Sequence, residues 1–142
     1  MSKGKTINLA AFLLSLLISS VSYGAEPSTQ VIQEIATLSS SQFYTNFALL
    51  RTMLEGEWNQ KVCDQFSYYD GINLQLVKRY REKLKDDKIW GPFFRKKYSV
   101  HMETYNALKP LIEKRRDGTA LTEADRTLLK KLDQRIYENL IK

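Results

Sequence analysis

The sequence predicts an all-α protein, a small antiparallel bundle of four to five helices, and three observations support this fold class. Apolar residues recur every three or four positions, the period of an amphipathic helix, in most of the chain beyond residue 30. No stretch alternates apolar and polar residues for long enough to be a strand, and only residues 67–73 could hold a short one. The connections between the periodic segments are short, which favours neighbouring helices that run in opposite directions.

The first 24 residues have the layout of a secretory signal peptide. Two early lysines precede an apolar run over residues 7–18, and small residues up to Gly24 suit a cleavage site. The apolar run is shorter than the ~20 residues that a membrane-spanning helix needs, so an uncleaved anchor is the less favoured alternative. We therefore expect cleavage between Gly24 and Ala25, export to the periplasm or the medium, and a single helical domain over residues 25–142.

The charge balance is mildly basic, with 22 Lys and Arg against 16 Asp and Glu and a net charge of +6. Removing residues 1–24 takes away two lysines and no acid, which leaves +4. In an exported protein this charge suits lipid headgroups, lipopolysaccharide, cell-wall polymers or an acidic protein surface, and nucleic acid is not expected. An ordinary solvated, lysine-rich surface would explain the same charge.

Cys63 is the only cysteine and His101 is the only histidine. Because no intramolecular disulfide can form, the fold must rest on its apolar core, and we expect Cys63 to be buried or else to pair between chains. One Cys and one His cannot supply the four ligands of a structural zinc ion without several carboxylates, so we expect neither a metal nor a cofactor. The sequence leaves a homodimer open.

The first half of the domain is expected to hold three helical segments. A short helix over residues 31–38 stops at the serine-rich residues 39–42, which have the spacing of a capping box. A second helix follows and ends near Gly56. A third covers residues 58–69, up to the Asp-Gly turn signal at residues 70–71.

The second half is organised around a helical hairpin over residues 68–105. Its arms meet at Trp90-Gly91-Pro92, because proline lacks an amide donor and disfavours helix in the residue before it. The apolar faces are expected to hold Ile72, Leu76, Tyr80 and Leu84 on the first arm, and Phe94, Tyr98, His101, Tyr105, Leu108 and Ile112 on the second. Pro110 either kinks the second arm or starts a new helix, Asp117-Gly118 turns the chain, and Thr122 caps a last helix.

The turn of this hairpin is the best candidate for a binding site. Trp90 and Phe93 lie beside a run of cations, and aromatic area with a positive rim suits an acidic or amphipathic partner. The candidate partner-binding residues are Trp90, Phe93, Phe94, Arg95, Lys96, Lys97 and Tyr98. Large aromatic residues at helix ends also cap the cores of bundles, so the alternative is a purely structural role.

The sequence contains no serine-nucleophile motif, phosphate-binding glycine loop or paired-histidine metal motif. His101 has aromatic and apolar neighbours, which favour a half-buried, hydrogen-bonded ring over a general base. We therefore expect a binding protein without enzymatic activity: an inhibitor or immunity protein, a chaperone-like protein or a secretion accessory factor, acting on a protein or an anionic envelope component. The alternative is a metal-free helical enzyme with an inter-helix pocket lined by Arg51, Lys61 and Arg79.

Overall fold

The computed structural model describes residues 27–142, and they are helical with no strand in that range. The elements are α1 (Thr29–Glu55), α2 (Gln60–Lys83), α3 (Trp90–Arg116), α4 (Glu123–Ile136) and a final π-helical turn (Tyr137–Ile141). This confirms the all-α prediction, with four α-helices. The predicted signal peptide and its cleavage site lie outside the described residues. Within them, no helix combines the length and the apolar character needed to cross a membrane.

Consecutive helices run in opposite directions, as the contacts between them show. Ser39 bonds to Asn73 and Asn46 bonds to Asp70, so positions rise along α1 while they fall along α2. The ion pairs that join α3 to α4 follow the same order. The four α-helices therefore form an up-and-down bundle with short connections.

Helix α1 is continuous over 27 residues, so the interruption predicted at residues 39–42 is wrong. The side chain of Ser28 caps its start by accepting a backbone amide of the first turn. Ser39 and Ser40 lie buried inside the helix, where their hydroxyls bond to side chains of α2 and α3. The serine hydroxyls that were expected to cap a helix thus bond instead to residues that are distant in the chain. The predicted stop at Gly56 is confirmed.

Helix α2 runs straight through residues 70–71, so the predicted Asp-Gly turn is wrong, and the short strand considered at residues 67–73 is helix as well. Asp70 faces inward and accepts a hydrogen bond from Asn46 of α1. The inner face of α2 also buries Cys63, whose side chain is 1% exposed, as predicted. The burial of a whole helix face outweighs a local preference for a turn.

The connection between α2 and α3 is a tight turn. Asp87 Oδ1 accepts two backbone amides at the start of α3, including that of Trp90 at 2.8 Å. Gly91 lies against the end of α2, where an added Cβ would lie 2.8 Å from the carbonyl oxygen of Leu84 and 2.9 Å from that of Lys85. Only a residue without a Cβ permits this approach. Residues 90–92, which were predicted to break the helix, therefore form the first turn of α3, and the break lies in residues 84–89.

We expect Gly91→Ala to lower the free energy of unfolding by about 1–3 kcal/mol, because backbone atoms would have to move to relieve the clash. Urea denaturation measures the change. Gly71→Ala in α2 is the matched control: nothing lies within 4 Å of an added Cβ there, so it should stabilise by up to about 1 kcal/mol through helix propensity. A Gly91 variant as stable as the Gly71 variant would contradict the close approach of Gly91 to the end of α2.

The apolar core has two parts. The larger part is built on α1, α3 and α4 and includes Phe43, Phe47, Leu50, Leu54, Leu108, Leu111, Leu129, Leu132 and Ile136. The smaller part lies toward the α2–α3 turn and joins Ile32, Ile35, Ala36, Leu76, Val77, Tyr80 and Phe94. The burial of residues 43, 47, 50 and 54 on α1 and of residues 129, 132 and 136 on α4 therefore agrees with their helical spacing, whereas Leu38, expected on the apolar face of the first segment, is 39% exposed.

The buried face of α3 is rotated by about one position from the predicted face. The residues buried along it include Phe94, Lys97, His101, Thr104, Leu108 and Leu111. The residues predicted there but only half-buried are Tyr98, Tyr105 and Ile112. A periodicity that counts only apolar residues could not place Lys97 and Thr104 on the inside.

The end of the chain follows its prediction. Helix α3 continues past Pro110 to Arg116, so no new helix begins at the proline. The chain then turns at Gly118, whose φ of 80° is a conformation that favours glycine. Thr122 caps α4 in a capping box with Asp125: each side chain accepts the other's backbone amide.

Candidate functional site

A layer of polar side chains crosses the interior between the two parts of the apolar core. Three helices supply it, with Ser39, Ser40, Gln42 and Asn46 from α1, Asp70 and Asn73 from α2, and Lys97, His101 and Thr104 from α3. Buried polar groups are unfavourable unless they are hydrogen-bonded, and buried charges are more so. Apolar residues would fill these positions at lower cost, so this layer is a candidate functional site.

Hydrogen bonds within the layer join α1 to α2. Gln42 Nε2 donates to Asn46 Oδ1 at 2.8 Å, and Asn46 Nδ2 donates to Asp70 Oδ1 at 2.6 Å. Asn73 Nδ2 donates to the backbone oxygen of Ser39 at 3.0 Å, and Ser39 Oγ donates to Asn73 Oδ1 at 2.5 Å. Because these bonds form only in one alignment, they hold α1 in register on α2.

Asp70 is the acid of the layer. Burial raises the pKa of its carboxyl to about 7, against the opposite effect of the hydrogen bond from Asn46. No lysine or arginine within residues 27–142 forms an ion pair with it. Its carboxyl therefore changes between neutral and charged forms near neutral pH.

Lys97 is the base of the layer, and its side chain is fully buried. Its Nζ donates to Ser40 Oγ at 2.9 Å, and no carboxylate in the described part of the chain pairs with it. Burial lowers the pKa of this ammonium to about 7. An amine of this kind is neutral for much of the time at physiological pH.

His101 lies one turn after Lys97 and packs flat on the ring of Phe43, with the ring centroids 3.7 Å apart. Neither ring nitrogen has a hydrogen-bond partner within residues 27–142. Burial, and then the neighbouring Lys97, hold the pKa of the imidazole well below its usual range. The predicted half-buried, hydrogen-bonded ring is therefore wrong, since the ring is fully buried and behaves as a neutral aromatic group.

A groove between α2 and α3 reaches the polar layer at Asp70, and we call it the α2–α3 groove. It encloses about 410 Å³, within the range of ~300–1,000 Å³ that is usual for small-molecule sites. Its apolar walls are Leu50, Phe66, Leu74, Leu108 and Ile112, and its polar lining includes Ser67, Asp70, Tyr105, Lys109, Glu113 and Arg116. Sequence reasoning missed this site, because a turn was predicted at residues 70–71.

The fold divides the predicted partner-binding residues into buried and accessible sets. Phe94 and Lys97 are fully buried, the first in the smaller part of the core and the second in the polar layer. Trp90 and Phe93 are half-buried and pack edge to face at 5.6 Å between ring centroids. In this structure Phe94 and Lys97 cannot contact a partner directly, whereas Trp90 and Phe93 each present part of the ring to solvent.

The remaining predicted residues lie on the outside. Arg95 and Lys96 are exposed, and Tyr98 is half-buried under the guanidinium of Arg81, 4.0 Å from the ring centroid. Next to them Ile89 is 75% exposed, which is unusual for an aliphatic side chain. We call the exposed residues of this region the cationic corner, which consists of Lys85, Lys88, Ile89, Arg95 and Lys96.

The three basic residues of the alternative enzyme pocket do not lie together. Arg51 forms ion pairs with Glu55 and Asp133, at 3.5 Å and 3.8 Å. Lys61 and Arg79 are exposed on α2, about 27 Å apart at the rise of an α-helix. None of the three lines the α2–α3 groove.

Comparison of the chain with protein-family models, with curated proteins and with solved structures gives no match in any of the three sets. No group of three or more His, Cys, Asp or Glu side chains within residues 27–142 is arranged to hold a metal ion.

Proposed function

We propose that this protein is exported and works by binding, and that its partner is an anionic component of the cell envelope. The signal-peptide layout of residues 1–24 supports export. The observation that carries the proposal is the cationic corner, where four exposed cations flank the exposed Ile89 in the sequence on either side of the α2–α3 turn. An acidic surface of another protein is the second partner with matching charge.

The cations of the corner are available to a partner. No carboxylate in the described part of the chain forms an ion pair with Lys85, Lys88, Arg95 or Lys96. Asp86 and Asp87 lie in the same turn, so the corner has a net charge of +2. Asp87 accepts two backbone amides at the start of α3, and since the four cations outnumber the two carboxylates the outer field of the corner is positive.

Contacts within the α2–α3 turn hold the backbone of the corner in place, which favours binding because less backbone freedom is lost. The close approach of Gly91 to the end of α2 and the bonds of Asp87 fix the turn. Arg95 Nη1 donates to the backbone oxygen of Lys85 at 3.3 Å and ties α3 to the same turn. A preformed surface of this kind keeps the entropic cost of association low.

An anionic membrane surface fits the mixed character of the corner. Each lysine or arginine near such a surface contributes roughly 1 kcal/mol, and burial of an isoleucine side chain contributes roughly 1.5–3 kcal/mol. The sum corresponds to weak, reversible binding that decreases with ionic strength. Such binding suits a protein that acts at the envelope without being inserted in it.

Co-sedimentation with lipid vesicles tests this proposal. The protein should bind phosphatidylglycerol vesicles and not phosphatidylcholine vesicles, and Arg95→Glu with Lys96→Glu should weaken binding at least tenfold. The matched control is Lys130→Glu with Lys131→Glu, an equal change of charge at exposed positions of α4. Equal losses in the two double variants would show a non-specific charge effect and contradict a docking site at the corner. Binding only to an acidic protein would identify the second partner instead.

A further inference from the structure

Gly71 lies within α2 and lines the α2–α3 groove. A glycine inside a helix costs about 1 kcal/mol relative to alanine. No packing requirement explains it, because nothing in the described chain lies within 4 Å of an added Cβ, and its φ is not positive. The effect of the missing side chain is to leave the groove open next to Asp70.

Asp70 supplies a buried carboxyl at the same place. The residue is 8% exposed and lines the groove. Asn46 donates to its Oδ1, and no cation within residues 27–142 pairs with it. An isolated carboxylate in apolar surroundings is unfavourable, and a cation placed in the groove would compensate its charge with a charge-assisted hydrogen bond.

The walls on both sides of this carboxyl are apolar. Phe66 and Leu74 on α2 face Leu108 and Ile112 on α3 across the groove. The stretch from Tyr105 to Ile112 covers about two helical turns, or roughly 10 Å. The groove therefore suits a short alkyl chain or an aromatic ring with one polar group.

We propose that the α2–α3 groove binds a small amphipathic amine, whose ammonium group pairs with Asp70 and whose apolar part lies between Phe66, Leu74, Leu108 and Ile112. This site begins along α3 at Tyr105, about 14 Å beyond Lys96 of the cationic corner at the rise of an α-helix. It is independent of the proposed envelope docking, and either proposal can fail without the other.

Charged residues at the rim decide whether a cation or an anion is preferred. Lys109 and Glu113 lie one turn apart and have opposite charges. Arg116 lies at the far end of the groove, where its Nε donates to Gln60 Oε1 at 3.2 Å. The rim thus has one net positive charge, but it faces water and is screened. The buried carboxyl of Asp70 acts in a lower dielectric, so its preference for a cation dominates.

Calorimetric titration with three probes that share one chain tests the proposal, namely n-octylamine, n-octanol and n-octanoate. At a pH slightly above neutral, the purified protein should bind octylammonium at least ten times more tightly than the other two. Asp70→Asn should reduce this ratio to less than about two while octanol still binds. Asp64→Asn, an exposed carboxylate on the same helix, should leave the ratio unchanged.

A second variant tests the cavity rather than the charge. Gly71→Leu should block all three probes, and it should not weaken the fold, because leucine is the better helix former and an added Cβ meets no neighbour. Gly71→Ala, which adds one methyl group, should weaken binding by less. The corner variant with Arg95→Glu and Lys96→Glu should bind octylammonium like the native protein. Tighter binding of octanoate, no binding of any probe, or an unchanged preference in Asp70→Asn would each overturn the proposal.

Discussion

Replacing Lys97 by methionine should raise the free energy of unfolding at about pH 7 by several kcal/mol. In the folded protein burial lowers the pKa of Lys97 to about 7, whereas its ordinary value is 10.5. Between these values the unfolded chain binds more protons, so the stability of the native protein rises with pH across that window. At about pH 7 the buried lysine therefore lowers the stability of the native protein by on the order of 4 kcal/mol. The gain in the methionine variant should be smaller than this by about 1 kcal/mol, because the hydroxyl of Ser40 loses its hydrogen-bond partner.

Urea denaturation at a series of pH values checks this prediction. The methionine variant should lack the rise in stability that the native protein shows between neutral pH and about pH 10. Lys96→Met is the control, since its exposed side chain should change stability by less than about 0.5 kcal/mol. A native protein with constant stability over this range would mean that Lys97 is solvated or paired in solution.

Asp70→Asn should also stabilise the protein, and its effect should grow as pH rises toward about 7, below the window in which Lys97 acts. Burial raises the pKa of Asp70 from 3.8 to about 7, so the folded protein binds more protons than the unfolded chain between these values. The stability that Asp70 contributes is fully present below the lower value and is lost as pH rises through the upper one. Above about pH 7 the asparagine variant should be more stable by on the order of 4 kcal/mol, since its side-chain oxygen still accepts from Asn46.

His101 acts on stability in an overlapping window and with the opposite sign. Because its folded pKa is held well below 6.5, the stability that it contributes is lost as pH falls below that value. The measured quantity is therefore the difference between native and variant curves, in which the effect of His101 cancels. Asp64→Asn should give a difference near zero at every pH. An Asp70→Asn difference that does not grow from about pH 4 to about pH 8 would contradict the burial of this carboxyl.

Both substitutions are expected to stabilise the fold, and this bears on function. Side chains that lower stability at their own positions are typical of sites that bind or react. Asp70→Asn should separate stability from binding, because the variant should be more stable and its groove should no longer prefer an amine. Lys97 has no such assigned ligand, and its contact with Ser40 explains its position but not its charge.

The elements that were predicted correctly have local causes. Phe43, Phe47, Leu50 and Leu54 recur at helical spacing on α1, and all four are buried. The predictions that failed concern residues whose local preference is opposed by distant contacts. The serines at residues 39–42 were expected to interrupt a helix, yet two of them are buried against α2 and α3.

The candidate sites show the same division. Arg95 and Lys96 of the corner were visible in a run of basic residues after an aromatic turn, but periodicity could not show that Lys97 in the same run belongs to the interior. Its burial depends on Ser40, which is 57 positions away in the chain. The α2–α3 groove depends in the same way on the packing of two helices, with Asp70 and Tyr105 in contact across 35 positions.

The sequence by itself determined the helical class, the end of α1 at Gly56, the start of α4 after Thr122 and the positive charge. Caps, glycine stops and apolar spacing act within a few residues, so they can be read along the chain. Only the tertiary structure decided that residues 39–42 and 70–71 stay helical, that Lys97 turns inward, and that a groove opens at Asp70. These outcomes depend on the free energy of contacts between helices, which exceeds the local preference of any one residue.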